Sequence, residues 1–272
     1  MHAQTLAVDG LRVNVAEWGA GDPVVLLHGL TGSLDYWAPF AERLGRSHRV
    51  IAVDVPGHGD SDVLDPFSFT EAVRLMGDAV DQMGVDRPAV VGHSFGAPLA
   101  VTWAAERHVS AMVLASPVGI APFSLRRARF IMPFHRAIAA TERLWERPAA
   151  SRRLPRKLVF GWFVGMSRTE GLDVSAARRL LRGAAKAAPI VPGVLPALQS
   201  LDLPGLIERV DARSLVIWGE HDRSGWENGP ALAEALAGEE LVLPGVGHMP
   251  MIEAPYSFGV AVAEFVSASV AA

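Results

Sequence analysis

The chain has 272 residues, 50% of them apolar, with 25 Lys+Arg against 29 Asp+Glu and no cysteine. This length and composition exclude a disordered chain and fit one large domain or a domain with an insertion, while the lack of cysteine excludes disulfides, thiolate metal sites and a cysteine nucleophile. The net charge of -4 hides an asymmetry, because Val118–Gly205 carries 15 Lys+Arg against 5 Asp+Glu and leaves 10 basic and 24 acidic residues elsewhere.

In chain order, "TLAVDGLRVNVAEW" predicts a hairpin around Asp9-Gly10, the strongest short-range hairpin signal. Strand-like runs follow in "PVVLLHG", "RVIAVDV", "PAVVGHS" and "SAMVLAS", and again, after the basic segment, in "SLVIWGE" and "EELVLPG". Several are apolar on both faces, as strands buried within a parallel sheet are. Helical patterns at 33–45, 70–84, 95–107, 227–237 and 253–268 alternate with them. The alternation predicts an α/β fold, a mostly parallel eight-stranded sheet with helices on both faces. The basic middle, "RRARFIMPFHRAIAATERLWERPAASRRLPRKLVFGWF", shows no clear strand pattern, and prolines at 133, 148 and 155 break it into short helices. The expected division is a first core part at 1–117, a helical insertion at 118–205 and a second core part at 206–272. No apolar run approaches the roughly 20 residues of a membrane span. The N-terminus shows no basic region followed by a long apolar core, so the expectation is a cytoplasmic protein.

Ligands of such sheets bind beyond the carboxyl ends of the strands, so the residues just after each strand are the ones to weigh. Gly92-His93-Ser94-Phe95-Gly96 is a G-x-S-x-G between a strand and a helix, the context a nucleophile elbow requires; by itself it reads equally as a glycine-rich turn, and the partners of Ser94 decide between the two. A serine hydroxyl needs a general base. His248, in the loop "LPGVGHMPMIEAP" after the last strand, lies at the same edge. The imidazole in turn needs an acceptor that fixes its tautomer, and Asp222 in "WGEHDRSG" supplies one, with Glu220 and Glu227 as neighbouring rivals. The remaining histidines read as structural: His93 as packing or hydrogen bonding inside the elbow, His28 and His58 as braces, and His221 as exposed. Neither a metal-ligand spacing nor a phosphate-binding loop is present, so no cofactor and no metal are expected.

With these motifs in order, the chain resembles the α/β-hydrolase superfamily over essentially its whole length. His28-Gly29 in "LLHGLTGS" looks like the oxyanion-loop motif, "DVPGHGDS" like the loop after the fourth strand, and "GHSFG", "WGEHD" and "GVGHMPMIEAP" like the elbow, acid and histidine segments. The resemblance implies a catalytic triad of Ser94, Asp222 and His248, with the backbone N–H groups of Leu30 and Phe95 forming an oxyanion hole. It further implies that 118–205 is a helical cap that shapes the substrate pocket. Phe160, Trp162, Phe163, Met166 and Met249 are its candidate lining, and the alternative is that they join cap to core.

The leading expectation is a serine hydrolase of the carboxylesterase type acting on a small-molecule ester or related acyl substrate. Thioesterase, lactonase, C–C bond hydrolase and perhydrolase chemistries use the same triad, and a ligand-binding receptor is the non-enzymatic alternative. No nucleic-acid partner is expected, and the oligomeric state is open. The arginine excess of the insertion reads as the solvated face of amphipathic helices, with binding of anionic ligands or lipid as the sharper alternative.

Overall fold

Asp9 and Gly10 both take positive φ, 48° and 81°, and turn β1 (His2–Val8) back onto β2 (Leu11–Trp18) with Val8 opposite Leu11. A computed structural model describes residues 1–118, 157–170, 172–187, 189–224 and 229–270. The remaining strands are β3 (Pro23–Leu27), β4 (Arg49–Val53), β5 (Ala89–His93), β6 (Ala111–Ala115), β7 (Ser214–Gly219) and β8 (Glu239–Leu243). They form one eight-stranded sheet in the order β1-β2-β4-β3-β5-β6-β7-β8. Only the β1–β2 and β2–β4 pairs are antiparallel, so β2 alone runs against the other strands.

Alternate residues of each strand enter opposite cores, the period of two that a pleated strand imposes. Val24, Leu26, Val50, Val91, Val113 and Ile217 face one apolar cluster. It contains Phe40 of α1 (Ala38–Leu44) and Phe258 and Val262 of the C-terminal helix (Pro255–Val270). Val25, Leu27, Ile51, Val90, Met112 and Val216 face the other. There they meet α2 (Phe69–Gln82), α3 (Gly96–Glu106) and the helix Gly229–Ala235. Both faces are therefore covered, which is why the central strands are apolar throughout.

Between β6 and β7 the regular elements among the described residues are helical: a π-helical turn at Lys157–Phe163, then α4 (Val174–Ala187), α5 (Val191–Ser200) and the short α6 (Leu203–Ile207). Residues 119–156, which hold the three helix-breaking prolines, lie outside the described residues. The expected junction at 205/206 falls inside α6, whose Leu203 and Leu206 are buried in the same core as α3. Among the described residues no helix is long and apolar enough to cross a membrane.

Candidate active site

Three loops meet at the carboxyl ends of β5, β7 and β8. The first is the turn from β5 into α3, where Ser94 has φ +53°, a left-handed value that few non-glycine residues adopt. Its two neighbouring glycines are required by space. A Cβ on Gly96 would stand 2.2 Å from the carbonyl oxygen of Leu27, and one on Gly92 would stand 2.3 Å from that of Gly96. The strained turn is thus held between strand and helix. The Ser94 N–H donates to the Ala115 carbonyl at 2.9 Å, and its own carbonyl accepts from Ala97 at 3.0 Å.

The loop after β8 brings His248 Nε2 to 3.0 Å from Ser94 Oγ. The loop after β7 brings Asp222 Oδ2 to 3.0 Å and Oδ1 to 3.2 Å from His248 Nδ1. Asp222 is buried and also accepts from the Ser224 N–H at 2.9 Å. Burial by itself would push this carboxyl up, but the facing imidazolium and the hydrogen bonds from His248 and Ser224 outweigh it and hold the acid well below the usual carboxylate range. For His248 burial favours the neutral ring, yet Asp222, with a smaller contribution from Glu253, raises it above the ordinary histidine value. The rival Glu220 instead accepts from the Gly245 N–H at 2.8 Å, while Glu227 lies outside the described residues. His221 is exposed.

The other histidines near Ser94 have neutral partners that fix their tautomers. The His248 carbonyl can only accept, so His93 Nε2, at 2.8 Å from it, carries the proton. His93 Nδ1 is then bare and accepts from the Tyr36 hydroxyl at 2.9 Å, whose oxygen accepts from the Gly29 N–H. Burial, with help from the charge on His248, pushes His93 down to about 3. His28 is fixed in the same way. Its Nε2 accepts from the Val55 N–H at 3.0 Å and its Nδ1–H donates to the Gly29 carbonyl at 2.9 Å, and burial lowers it to about 4. The approach of His28 Nε2 to Asp54 Oδ1 at 3.7 Å is therefore not an ion pair, since that nitrogen bears no proton.

The candidate oxyanion loop is a turn closed by Gly32 N–H to the Gly29 carbonyl at 2.9 Å. It holds Thr31 at φ +64°, an outlying value for a β-branched side chain. Among the described residues neither the Leu30 nor the Phe95 N–H has an intramolecular acceptor, so both are free to donate. Leu30 packs against Val191 and Leu195 of α5. The Phe95 ring is fully buried among Phe67, Phe69 and His58.

Of the candidate pocket residues, Phe160, Met166 and Met249 are buried together in the α1 side of the core with Trp37 and Phe258, and Met166 also borders a cavity with Gly161, Gly165, Ser167 and His221. The side chains of Trp162 and Phe163 lie outside the described residues. Sequence reasoning passed over Tyr36, Ser224 and Glu253. The signals were present but faint: Tyr36 is one of only 2 tyrosines, and Glu253 is a lone acid in the apolar stretch "MPMIEAP", where a charge must find buried partners.

The profile of the family described as alpha/beta hydrolase fold matches residues 22–255. One curated relative, the dihydrolipoyllysine-residue acetyltransferase component of the acetoin cleaving system of Cupriavidus necator, is 36% identical over 116 residues. That match covers 41% of this chain and only 31% of the relative. The 2-succinyl-6-hydroxy-2,4-cyclohexadiene-1-carboxylate synthase of Enterobacter sp. is 26% identical over 255 residues, covering 90% of this chain and 93% of the other. Among solved structures, a thermophilic esterase from Thermogutta terrifontis shares the fold with a TM-score of 0.77 at 19% identity, over 99% of each chain.

Proposed function

The chain belongs to the alpha/beta hydrolase family, and from that premise we propose that it is a serine hydrolase cleaving carboxylic esters through an acyl-enzyme intermediate. The observation that carries this reading is the hydrogen-bonded line from Asp222 through His248 to Ser94, with both steps at 3.0 Å. Ser94 Oγ attacks the ester carbonyl carbon while His248 Nε2 takes its proton. Asp222 holds Nδ1–H and stabilises the imidazolium that forms. The imidazolium then protonates the departing alkoxide, leaving an acyl-Ser94 ester, and water activated by the same ring hydrolyses it. Charge on the tetrahedral oxygen is met by the N–H groups of Leu30 and Phe95, each donor of this kind being worth about 2.7–4 kcal/mol.

In this reading residues 118–205 form a cap that excludes water from the site and selects the acyl group. Val191 and Leu195 beside Leu30 give the oxyanion side an apolar wall, which suits a hydrocarbon acyl chain.

The test is hydrolysis of p-nitrophenyl butyrate by the wild type and by Ser94→Ala. The expected loss in kcat is about 10⁴-fold or more, in line with removal of a triad nucleophile. An alanine variant that keeps wild-type turnover overturns the assignment. A second reading, carbon–carbon bond hydrolysis with the same triad, is kept because the near-full-length relative from Enterobacter is named for a carbocyclic carboxylate rather than an ester. It is supported if a panel of esters, thioesters and lactones gives no Ser94-dependent turnover while a carboxylated C–C substrate does.

A further inference from the structure

Glu253 is buried beneath the His248 loop and accepts four backbone N–H bonds. Its Oε2 takes those of Ser167 at 2.7 Å, Arg168 at 2.9 Å and Gly247 at 3.0 Å, and its Oε1 takes that of Met249 at 3.0 Å. Two of the four donors flank His248 in sequence. The N–H of His248 itself donates to the Gly165 carbonyl at 3.0 Å, so three consecutive amides are held by two short segments on the far side of the loop. Packing there is close. A Cβ on Gly247 would lie 2.4 Å from the Gly165 carbonyl oxygen, and one on Gly165 would lie 3.2 Å from the His248 Cβ.

Four donors are the full accepting capacity of an ionised carboxylate, whereas a carboxamide offers one oxygen and a donor that would face an N–H. Among the described residues Glu253 makes no salt bridge, and its direct partners are the four amides. That makes a buried glutamate costly unless its geometry serves something.

Resting on the reading of His248 as general base, we propose that Glu253 is a positioning residue for His248. It clamps the loop on both sides of the histidine and ties it to residues 165–168, in the segment between β6 and β7. The catalytic ring therefore stands at the right distance from Ser94 only while that carboxylate is in place. The groups that face His248 are Asp222 and Ser224 from the β7 loop, Ser94 and the neutral His93 from the elbow, and Glu253 from below. Asp222 and Glu253 are the two negative charges among them, so removing the Glu253 charge lowers the pH at which the ring loses its proton.

The experiment pairs Glu253→Gln, which keeps the shape and removes the charge, with Glu253→Asp, which keeps the charge and withdraws it by one methylene. Both are assayed on p-nitrophenyl butyrate across pH 5 to 9, and the His248 ring is titrated by NMR in the same variants. Both variants are expected to lose roughly 10- to 100-fold in kcat with KM within about twofold, the scale of a small misplacement of a reacting group. The acid limb and the NMR titration move to lower pH in Glu253→Gln and stay near wild type in Glu253→Asp. Wild-type kcat and an unmoved titration in both variants overturn the proposal, whatever happens to their melting temperatures. If Ser94→Ala is inactive while the Glu253 variants behave as wild type, this proposal alone falls. If no ester is turned over at all, the NMR titration still decides it.

Discussion

Replacing Tyr36 by phenylalanine removes one oxygen and separates two loops. The hydroxyl accepts from the Gly29 N–H at the start of the oxyanion turn and donates to Nδ1 of His93 at 2.9 Å, and Tyr36, Gly29 and His93 are all buried. Phenylalanine keeps the packing against Trp37 and His93 but leaves one donor and one acceptor without partners. Each orphaned buried group costs about 1–3 kcal/mol, so the expected destabilisation is about 3 kcal/mol, with an upper bound near 6. For a chain of this size 1 kcal/mol corresponds to about 2–4 °C in melting temperature, and the variant should melt roughly 6–12 °C lower. Urea titration followed by circular dichroism should show a lower midpoint with an unchanged m-value. The route through His93 is tested by a double-mutant cycle with His93→Leu, where a coupling of about 1 kcal/mol or more is expected for directly bonded partners. A Tyr36→Phe protein within about 0.5 kcal/mol of wild type, or strict additivity in the cycle, refutes the reasoning.

Two further outcomes follow from the protonation states. Because Asp222 raises His248 above the ordinary imidazole value of about 6.5 and the base must be neutral to accept the Ser94 proton, kcat/KM should fall as pH drops through a limb lying above 6.5. A pH–rate profile with its acid limb at or below that value contradicts the geometry. Stability also falls on acidification, here through the three buried neutral histidines, which are shifted the other way. His28, His58 and His93 are pushed by burial to about 4, 3 and 3, so the unfolded chain takes up protons below about pH 6.5 that the folded chain refuses. Their contribution is fully present above that pH and is lost on acidification at about 1.4 kcal/mol per pH unit each, or ~4 together. His248 and Asp54, both raised, work against this trend. Even so, a domain at the low end of the usual 5–15 kcal/mol should unfold near pH 5, and a more stable one at correspondingly lower pH. Denaturant midpoints measured from pH 7 to 4 check this, and a flat series would show that the three rings do not stay neutral.

The fold was legible because its signals were local and redundant. Asp9-Gly10 must turn, the strands are apolar on both faces because both faces are covered, and Gly92 and Gly96 have no space for a side chain. The order Ser94, Asp222, His248 could be read for the same reason, since each residue follows a strand and strand ends converge. What could not be read is lateral. Tyr36 reaches His93 across 57 positions and Glu253 reaches Ser167 across 86, and neither separation leaves a periodicity in the chain. The role of the apolar run is open to two readings for a related reason. An apolar aromatic run such as "FGWFVGM" has the same composition whether it lines a cavity or seals a joint, and Met166 does both, packing with Phe160 in the core and bordering a cavity with Gly161, Gly165 and Ser167.

The placement of two adjacent imidazoles shows how the site separates structure from chemistry. The rings of His93 and His248 lie 5.1 Å apart between centroids, close enough that a charge on one penalises a charge on the other. Their partners decide which ring can bear it. His93 meets a hydroxyl and a carbonyl, both neutral and both already committed, so protonating it would break a bond and place a cation in a dry site. His248 meets a buried carboxylate on one nitrogen and the Ser94 hydroxyl on the other, so its cation is stabilised where the proposed reaction would deliver the Ser94 proton. The bond that fixes the His93 tautomer ends on the carbonyl of His248 itself. The ring kept neutral thus holds the backbone of the ring that takes the charge in the proposed reaction, and a serine beside an ordinary pair of solvated histidines would gain neither the orientation nor the basicity that this asymmetry supplies.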